Sequence, residues 1–305
     1  MHNCYFHGSS RSHSIHNRKY VLEKGSSCVD FSSFAFLDKF RNTSIYLVGD
    51  STLMQLFSSL TCSLYKTAPY NINVGWYKHE GGTTQVRNPI YNRVTCPYGG
   101  LHCHFTHGVI EFPDFELKIE LIFLIVIGSD MMIPNLIKDR GVRPQDIIMT
   151  AFGLHYKRKV DFVGGLRAFA AGLRMLPLEN VPGLFYMESF PTHFGGNTFD
   201  AGYYEPNRYD QGCLPLDDTY LRNFTAYQER AYRSNLTLLE NSPNLKIIRI
   251  AEGMNSQYDA HIDGDSTAVA FSQADCLHYC ANSAVFDFLK TQIFNHWLGH
   301  RKKFV

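Results

Sequence analysis

The sequence carries almost no net charge: 29 Lys and Arg stand against 28 Asp and Glu, a formal +1. No run of like charge exceeds the short tail Arg301-Lys302-Lys303. A broad basic face for nucleic acid is therefore excluded as a working expectation. Long apolar runs are also missing. The longest, Ile119 to Ile127, contains Glu120 and is too short to span a bilayer. There is no internal repeat and no low-complexity tract, so repeat arrays are not expected. The opening Met1-His2-Asn3-Cys4 is polar and lacks the apolar segment of a secretory leader. A leader or membrane anchor upstream is the expectation, and membrane contact is expected only through it.

Apolar content is ample. In 305 residues, 45% are hydrophobic, enough for the core of one large α/β domain. Eight cysteines stand out: Cys4, Cys28, Cys62, Cys96, Cys103, Cys213, Cys276 and Cys280. An even number fits full pairing, with the connectivity left open. The competing reading is a metal site at Cys96 and Cys103, beside His102, His104 and His107. That spacing matches no common zinc pattern, so disulfides are expected and no metal. Three glycosylation sequons begin at Asn42, Asn223 and Asn235. With the cysteines they favour an oxidising compartment: the secretory pathway, in the Golgi lumen or outside the cell. A cytosolic chain with reduced thiols is the alternative.

Short β-rich runs punctuate the chain at 44–48, 121–127, 146–150, 183–187 and 245–250. Their hydrophobicity is nearly continuous, which implies strands covered on both faces, as in a parallel sheet. Helical spacing falls between them. Phe34, Leu37 and Phe40 mark one helix, and Leu53, Leu56, Phe57 and Leu60 the next. Val163, Leu166, Phe169, Ala170 and Leu173 mark a third, and 219–239 reads as a fourth. The last has Asn282 or Ser283 as cap and a stripe of Val285, Phe286, Leu289, Ile293, Phe294 and Trp297. Alternating strands and helices predict a three-layer α/β/α domain with a central parallel sheet. Leu64 to Glu116 and Pro191 to Pro215 lack clear periodicity and read as elaborated loops, suited to substrate contacts.

Two segments carry chemistry. In the first, an apolar strand from Ile45 runs into Gly49-Asp50-Ser51, and a helix follows. At the carboxyl end of a parallel strand, Ser51 would stand at the mouth of the sheet. The helix amino terminus would add N–H groups and a positive dipole end for an oxyanion. A plain helix cap is the alternative use of such a serine. In the second, Asp275-Cys276-Leu277-His278-Tyr279-Cys280 precedes the last helix. A serine nucleophile needs a base, and the base an orienting carboxylate. Asp275 and His278, three apart, are expected to point the same way from one turn.

Four ordered blocks resemble the PC-esterase group of the SGNH (GDSL-type) superfamily, which includes the trichome-birefringence-like polysaccharide O-acetyltransferases. They are Cys28 with 34–41 and the Gly-Asp-Ser strand, Phe152-Gly153-Leu154-His155-Tyr156, Glu188 to Phe194 with His193, and Asp275 to Cys280. The resemblance implies an SGNH-hydrolase-like domain over 28–305, after a disulfide-linked extension over 1–27. It implies a catalytic triad of Ser51, Asp275 and His278, with Gly49, Asp50, Gly153, His155 and His193 about the oxyanion site and cleft. It implies O-acyl transfer, most simply of acetyl, to a polysaccharide or glycan hydroxyl. No bound cofactor is implied. The acetyl donor, acetyl-CoA or an acetylated intermediate, is a co-substrate. The same triad serves a carbohydrate acetylesterase, and a non-catalytic glycan-binding homologue is the third reading. Two positions depart from the pattern: Met54 stands where many members have Arg, and Ala151 where Asn is usual.

Weaker signals remain. Tyr156, Tyr203, Tyr204 and Trp76 suit stacking on sugar rings, or simple packing. Lys157-Arg158-Lys159 suits an acidic ligand, or a solvated loop.

Overall fold

The computed structural model of the protein describes residues 31–65, 67–80, 83–87, 92–95, 105–124, 126–153, 159–190, 236–250, 254, 261–262, 275–279 and 284–301. For 275–279 it describes the backbone. The fold is α/β, three layers deep, as expected.

Strand β1 (Thr43–Gly49) runs through the middle of a nine-stranded sheet. It pairs in parallel with β6 (Leu117–Phe123) on one side and β7 (Ile147–Ala151) on the other. Strands β8 (Gly183–Met187) and β9 (Leu245–Ile248) extend the parallel half beyond β7. Alternate residues of these strands enter two separate cores. Ile45, Leu47, Met149 and Phe185 face helices α1 (Ser33–Lys39), α2 (Ser51–Leu64) and α5 (Ala284–Arg301). Tyr46, Val48, Ile148 and Tyr186 face α3 (Met132–Arg140) and α4 (Lys159–Arg174). Both faces being covered explains why the strands read as unbroken apolar runs.

The antiparallel half differs from expectation. Leu64 to Glu116 is not a loop region but contributes β2 (Asn71–Glu80), β3 (Thr83–Arg87), β4 (Asn92–Thr95) and β5 (Phe105–Phe112). They extend the sheet in the order β4-β3-β2-β5-β6, every pair antiparallel. Their sequences mix Asn, Thr and Gln with single valines, so no continuous apolar run betrays them. Helix α3 was also not foreseen. It closes on Gly141 in the left-handed region, a common helix stop. Of the helix expected over 219–239, residues 236–240 are helical and the rest lies outside the described residues, as does the Pro191–Pro215 stretch.

Two polar clusters tie the layers together. Asp146 is buried and accepts from the backbone N–H of Ser44 at 2.8 Å, joining the amino ends of β1 and β7. Arg143 donates to Asp146 and reaches Asn42 Oδ1 at 2.7 Å. Asp146 holds the Arg143 pKa above its ordinary value. On β6, buried Glu120 receives Lys118 at 3.0 Å and Arg140 of α3 at 3.1 Å. Burial alone would lower the Lys118 pKa, but the Glu120 carboxylate outweighs it and raises it. Here the single charge inside the longest apolar run meets its counter-ions, as a buried carboxylate must. On the other face, Phe36, Phe40, Phe294 and Trp297 pack ring on ring, locking α1 to α5.

Helix α4 provides a paired test. At Gly172 a β-carbon would collide with the backbone carbonyl of Asp130, whereas exposed Gly164 has nothing within 4 Å. Gly172→Ala is expected to cost about 1–3 kcal/mol by overpacking. Gly164→Ala is expected to gain about 0.5–1 kcal/mol from helix propensity. Urea unfolding of the two variants reads the opposite signs directly.

Candidate active site

The site grows from the way β1 ends. Helix α2 after β1 covers one face of the sheet, and α4 after β7 covers the other. Adjacent strands whose following helices diverge leave a crevice at their carboxyl ends, where open α/β sheets bind ligands. Ser51 and Gly153 flank that crevice.

Gly49 is the last residue of β1 and pairs with Ala151. A β-carbon at position 49 would run into the Ala151 carbonyl oxygen. Glycine therefore permits the two backbones to close, and the Asp50 N–H donates to Ala151 O at 3.3 Å. In a continuing parallel ladder the Asp50 carbonyl would next accept from Gly153 N–H. It does not. Asp50 O instead accepts from Leu53 at 3.1 Å and Met54 at 3.2 Å, the first bonds of α2. Gly153 N–H, buried, has no acceptor among the described residues. A buried amide in that state is ready to meet a ligand oxygen.

Asp50 is fully buried and caps α2 with its side chain. Its Oδ1 accepts from the Thr52 N–H at 3.0 Å and from the Thr52 hydroxyl. The expectation of a row of open N–H groups at this helix start needs correcting. The amides of Thr52, Leu53 and Met54 all go to Asp50. Ser51 is the first residue of α2 and is buried.

Ala151 lies in the core cluster with Leu47 and Leu53, so the position carries a packed methyl group and no donor. Met54 packs partly buried against the same cluster. One residue on, Phe152 O accepts from the Tyr186 hydroxyl at 2.8 Å and from Ser189 Oγ at 3.0 Å. Neither hydroxyl was singled out from sequence. The available signal was a tyrosine inside an apolar strand, whose polar tip must find a partner. Glu188 is buried beside them and accepts from the Ile250 N–H at 3.0 Å, holding the chain after β9 against β8.

Asp275 and His278 lie in β11 (Asp275–Tyr279), paired antiparallel with β10 (His261–Ile262). The single turn expected for them is replaced by a bulged strand. Tyr279 pairs with His261 and Asp275 with Ile262, so Cys276, Leu277 and His278 bulge out of the ladder. In a regular strand, positions three apart face opposite sides. The bulge interrupts that alternation. Strand β11 lies beside α2, the helix that Ser51 opens.

Cys62 corrects the disulfide expectation. Among the described residues it is in no disulfide, and its half-buried thiol is free. Cys276 has its backbone described in β11. Cys4, Cys28, Cys96, Cys103, Cys213 and Cys280 lie outside the described residues. So do His155, His193, Asn223 and Asn235, and with them Tyr156, Tyr203 and Tyr204. Trp76 falls in β2. Of the sequons, Asn42 is exposed at the start of β1. No group of three or more potential metal ligands occurs among the described residues. No helix there is long and apolar enough to cross a membrane.

No family model matches the sequence, and comparison with curated proteins finds no match.

The cap gives a direct test. Asp50→Ala is expected to lower stability by about 1–2 kcal/mol, the usual loss for a helix cap. Asp50→Asn retains an acceptor for the Thr52 N–H and should lose less. Equal midpoints in urea for wild type and Asp50→Ala would show that the cap bond contributes nothing.

Proposed function

We propose that the protein is a serine-dependent O-acyltransferase, in the manner of the PC-esterase group whose sequence blocks it resembles. The acyl group is most simply acetyl, and the acceptor a hydroxyl of a glycan or cell-wall polysaccharide. The proposed setting is the secretory pathway, in the Golgi lumen or outside the cell. The observation that carries the reading is the position of Ser51. It opens α2 at the switch point of the sheet, and the strand bearing Asp275 and His278 lies beside that helix.

In this mechanism His278 takes the proton of Ser51 Oγ as the oxygen attacks the donor's carbonyl carbon. Asp275 orients the imidazole and favours its charged form. The new Oγ–carbon bond forms, the donor's leaving-group bond breaks, and His278 returns the proton to the leaving group. A sugar hydroxyl then attacks the acyl-serine. Its proton passes through His278 to Ser51 Oγ, which restores the enzyme. Gly153 N–H supports the oxyanion in both halves. The donor, acetyl-CoA or an acetylated intermediate, is a co-substrate.

Ala151 favours a second reading. Loss of one oxyanion donor typically lowers rate by about 10²–10³-fold. A non-catalytic glycan-binding role is compatible with a methyl group at that position. The esterase reading differs from the first only in the acceptor, water replacing sugar.

Incubation with p-nitrophenyl acetate followed by peptide mass spectrometry separates the three. An acetyl group on Ser51 is expected, absent in Ser51→Ala. His278→Ala and Asp275→Ala are expected to slow its formation by about 10³–10⁴-fold. Release that requires added oligosaccharide identifies a transferase, and release to water an esterase. An unlabelled wild-type Ser51 leaves the non-catalytic reading.

A further inference from the structure

We propose that Tyr186 and Ser189 are positioning residues, whose hydroxyls lock the 152–153 peptide so that Gly153 N–H is held toward Ser51. The proposal rests on the acyl-transfer reading above and deepens it: it says what replaces the missing side-chain donor at Ala151.

The direction of that N–H follows from the order of strands. Carbonyls of an extended strand alternate between its two neighbours. Ala151 O points to the β1 side, where it accepts from Asp50 N–H. Phe152 O points to the β8 side, where Tyr186 of β8 and Ser189 just beyond it both donate to it. The peptide is trans, as is every described peptide bond, so its N–H points opposite to its C=O. Gly153 N–H is therefore aimed at the β1 side, above the point where Asp50 leaves the ladder and Ser51 begins α2.

Two hydroxyls on one carbonyl use both of its lone pairs. Tyr186 is fully buried, as is Phe152. Rotating the peptide away would cost the carbonyl of the buried Phe152 both of these bonds. Gly153 itself is part of the lock, because a β-carbon there would collide with Ser189 Oγ. A donor fixed in place before reaction does not have to reorganise when the oxyanion forms, which is the condition for electrostatic catalysis. With a methyl group at position 151, a larger share of that stabilisation falls on this one amide.

The test uses steady-state hydrolysis or transfer with p-nitrophenyl acetate, on variants shown by thermal unfolding to be folded. Tyr186→Phe and Ser189→Ala are each expected to lower kcat about tenfold, and the double variant about 10²-fold, with KM little changed. Ser189→Thr keeps the hydroxyl and should restore most of kcat. If Tyr186→Phe does not fold, the half-buried Ser189→Ala and Ser189→Thr pair carries the test. An active wild type with unchanged kcat in folded Ser189→Ala overturns the inference and leaves the acyl-transfer reading standing. So does a loss in Ser189→Ala that Ser189→Thr fails to restore, or a change confined to KM. A wild type that forms no acyl-Ser51 overturns both.

Discussion

The carbonyl of Asp50 decides where the sheet ends and the site begins. Up to Gly49 the backbones of β1 and β7 are bonded in register. One residue later that carbonyl turns from the neighbouring strand to the first turn of α2. Everything at the crevice follows from this exchange. The helix is anchored, Asp50 is drawn inside as its cap, and the amide of Gly153 loses the partner a longer ladder would provide. Glycine at position 49 makes the exchange sterically possible, since any side chain there would separate the two strands before they meet.

The parallel half of the fold was legible because burial on both faces writes itself into sequence. Ile45 and Leu47 enter one core, Tyr46 and Val48 the other, and all four must be apolar or aromatic. The stripe along α5 was equally plain, since all six of its marked residues are buried. The antiparallel half was not legible. Strands such as 83–87, Thr-Thr-Gln-Val-Arg, are held by backbone pairing to the strands just before and after them, β2 and β4. Pairing of that kind leaves no periodic trace. Helix α3 was hidden for another reason: Pro134 falls within its first turn, where proline is tolerated, yet in sequence it reads as a break.

The site was legible in its residues and not in its geometry. Ser51 at a strand-to-helix junction follows from pattern alone. That its neighbours' amides all turn to Asp50 does not, because it depends on which acceptor wins a local competition. Asp275 and His278 were marked by chemistry, but their spacing suggested a turn where the backbone forms a bulged strand. The hydroxyls of Tyr186 and Ser189 meet at Phe152 only because β7 and β8 are neighbours. No spacing within either segment announces that meeting.

The excursion through β2 to β5 has a consequence for how the chain folds. Strand β1 finds its two partners late: Thr43 pairs with Leu117, and Ile45 with both Ile119 and Ile147. During synthesis β1 is exposed long before either partner exists, apolar on both faces and open on both edges. Pairings so distant in sequence form slowly, since a large loop must close before any contact rewards it. An aggregation hazard therefore accompanies each newly made chain until β6 has been reached. The antiparallel strands in between, pairing mostly with near neighbours, are suited to shorten that interval by bringing Phe112 and Leu117 back to the start of β1.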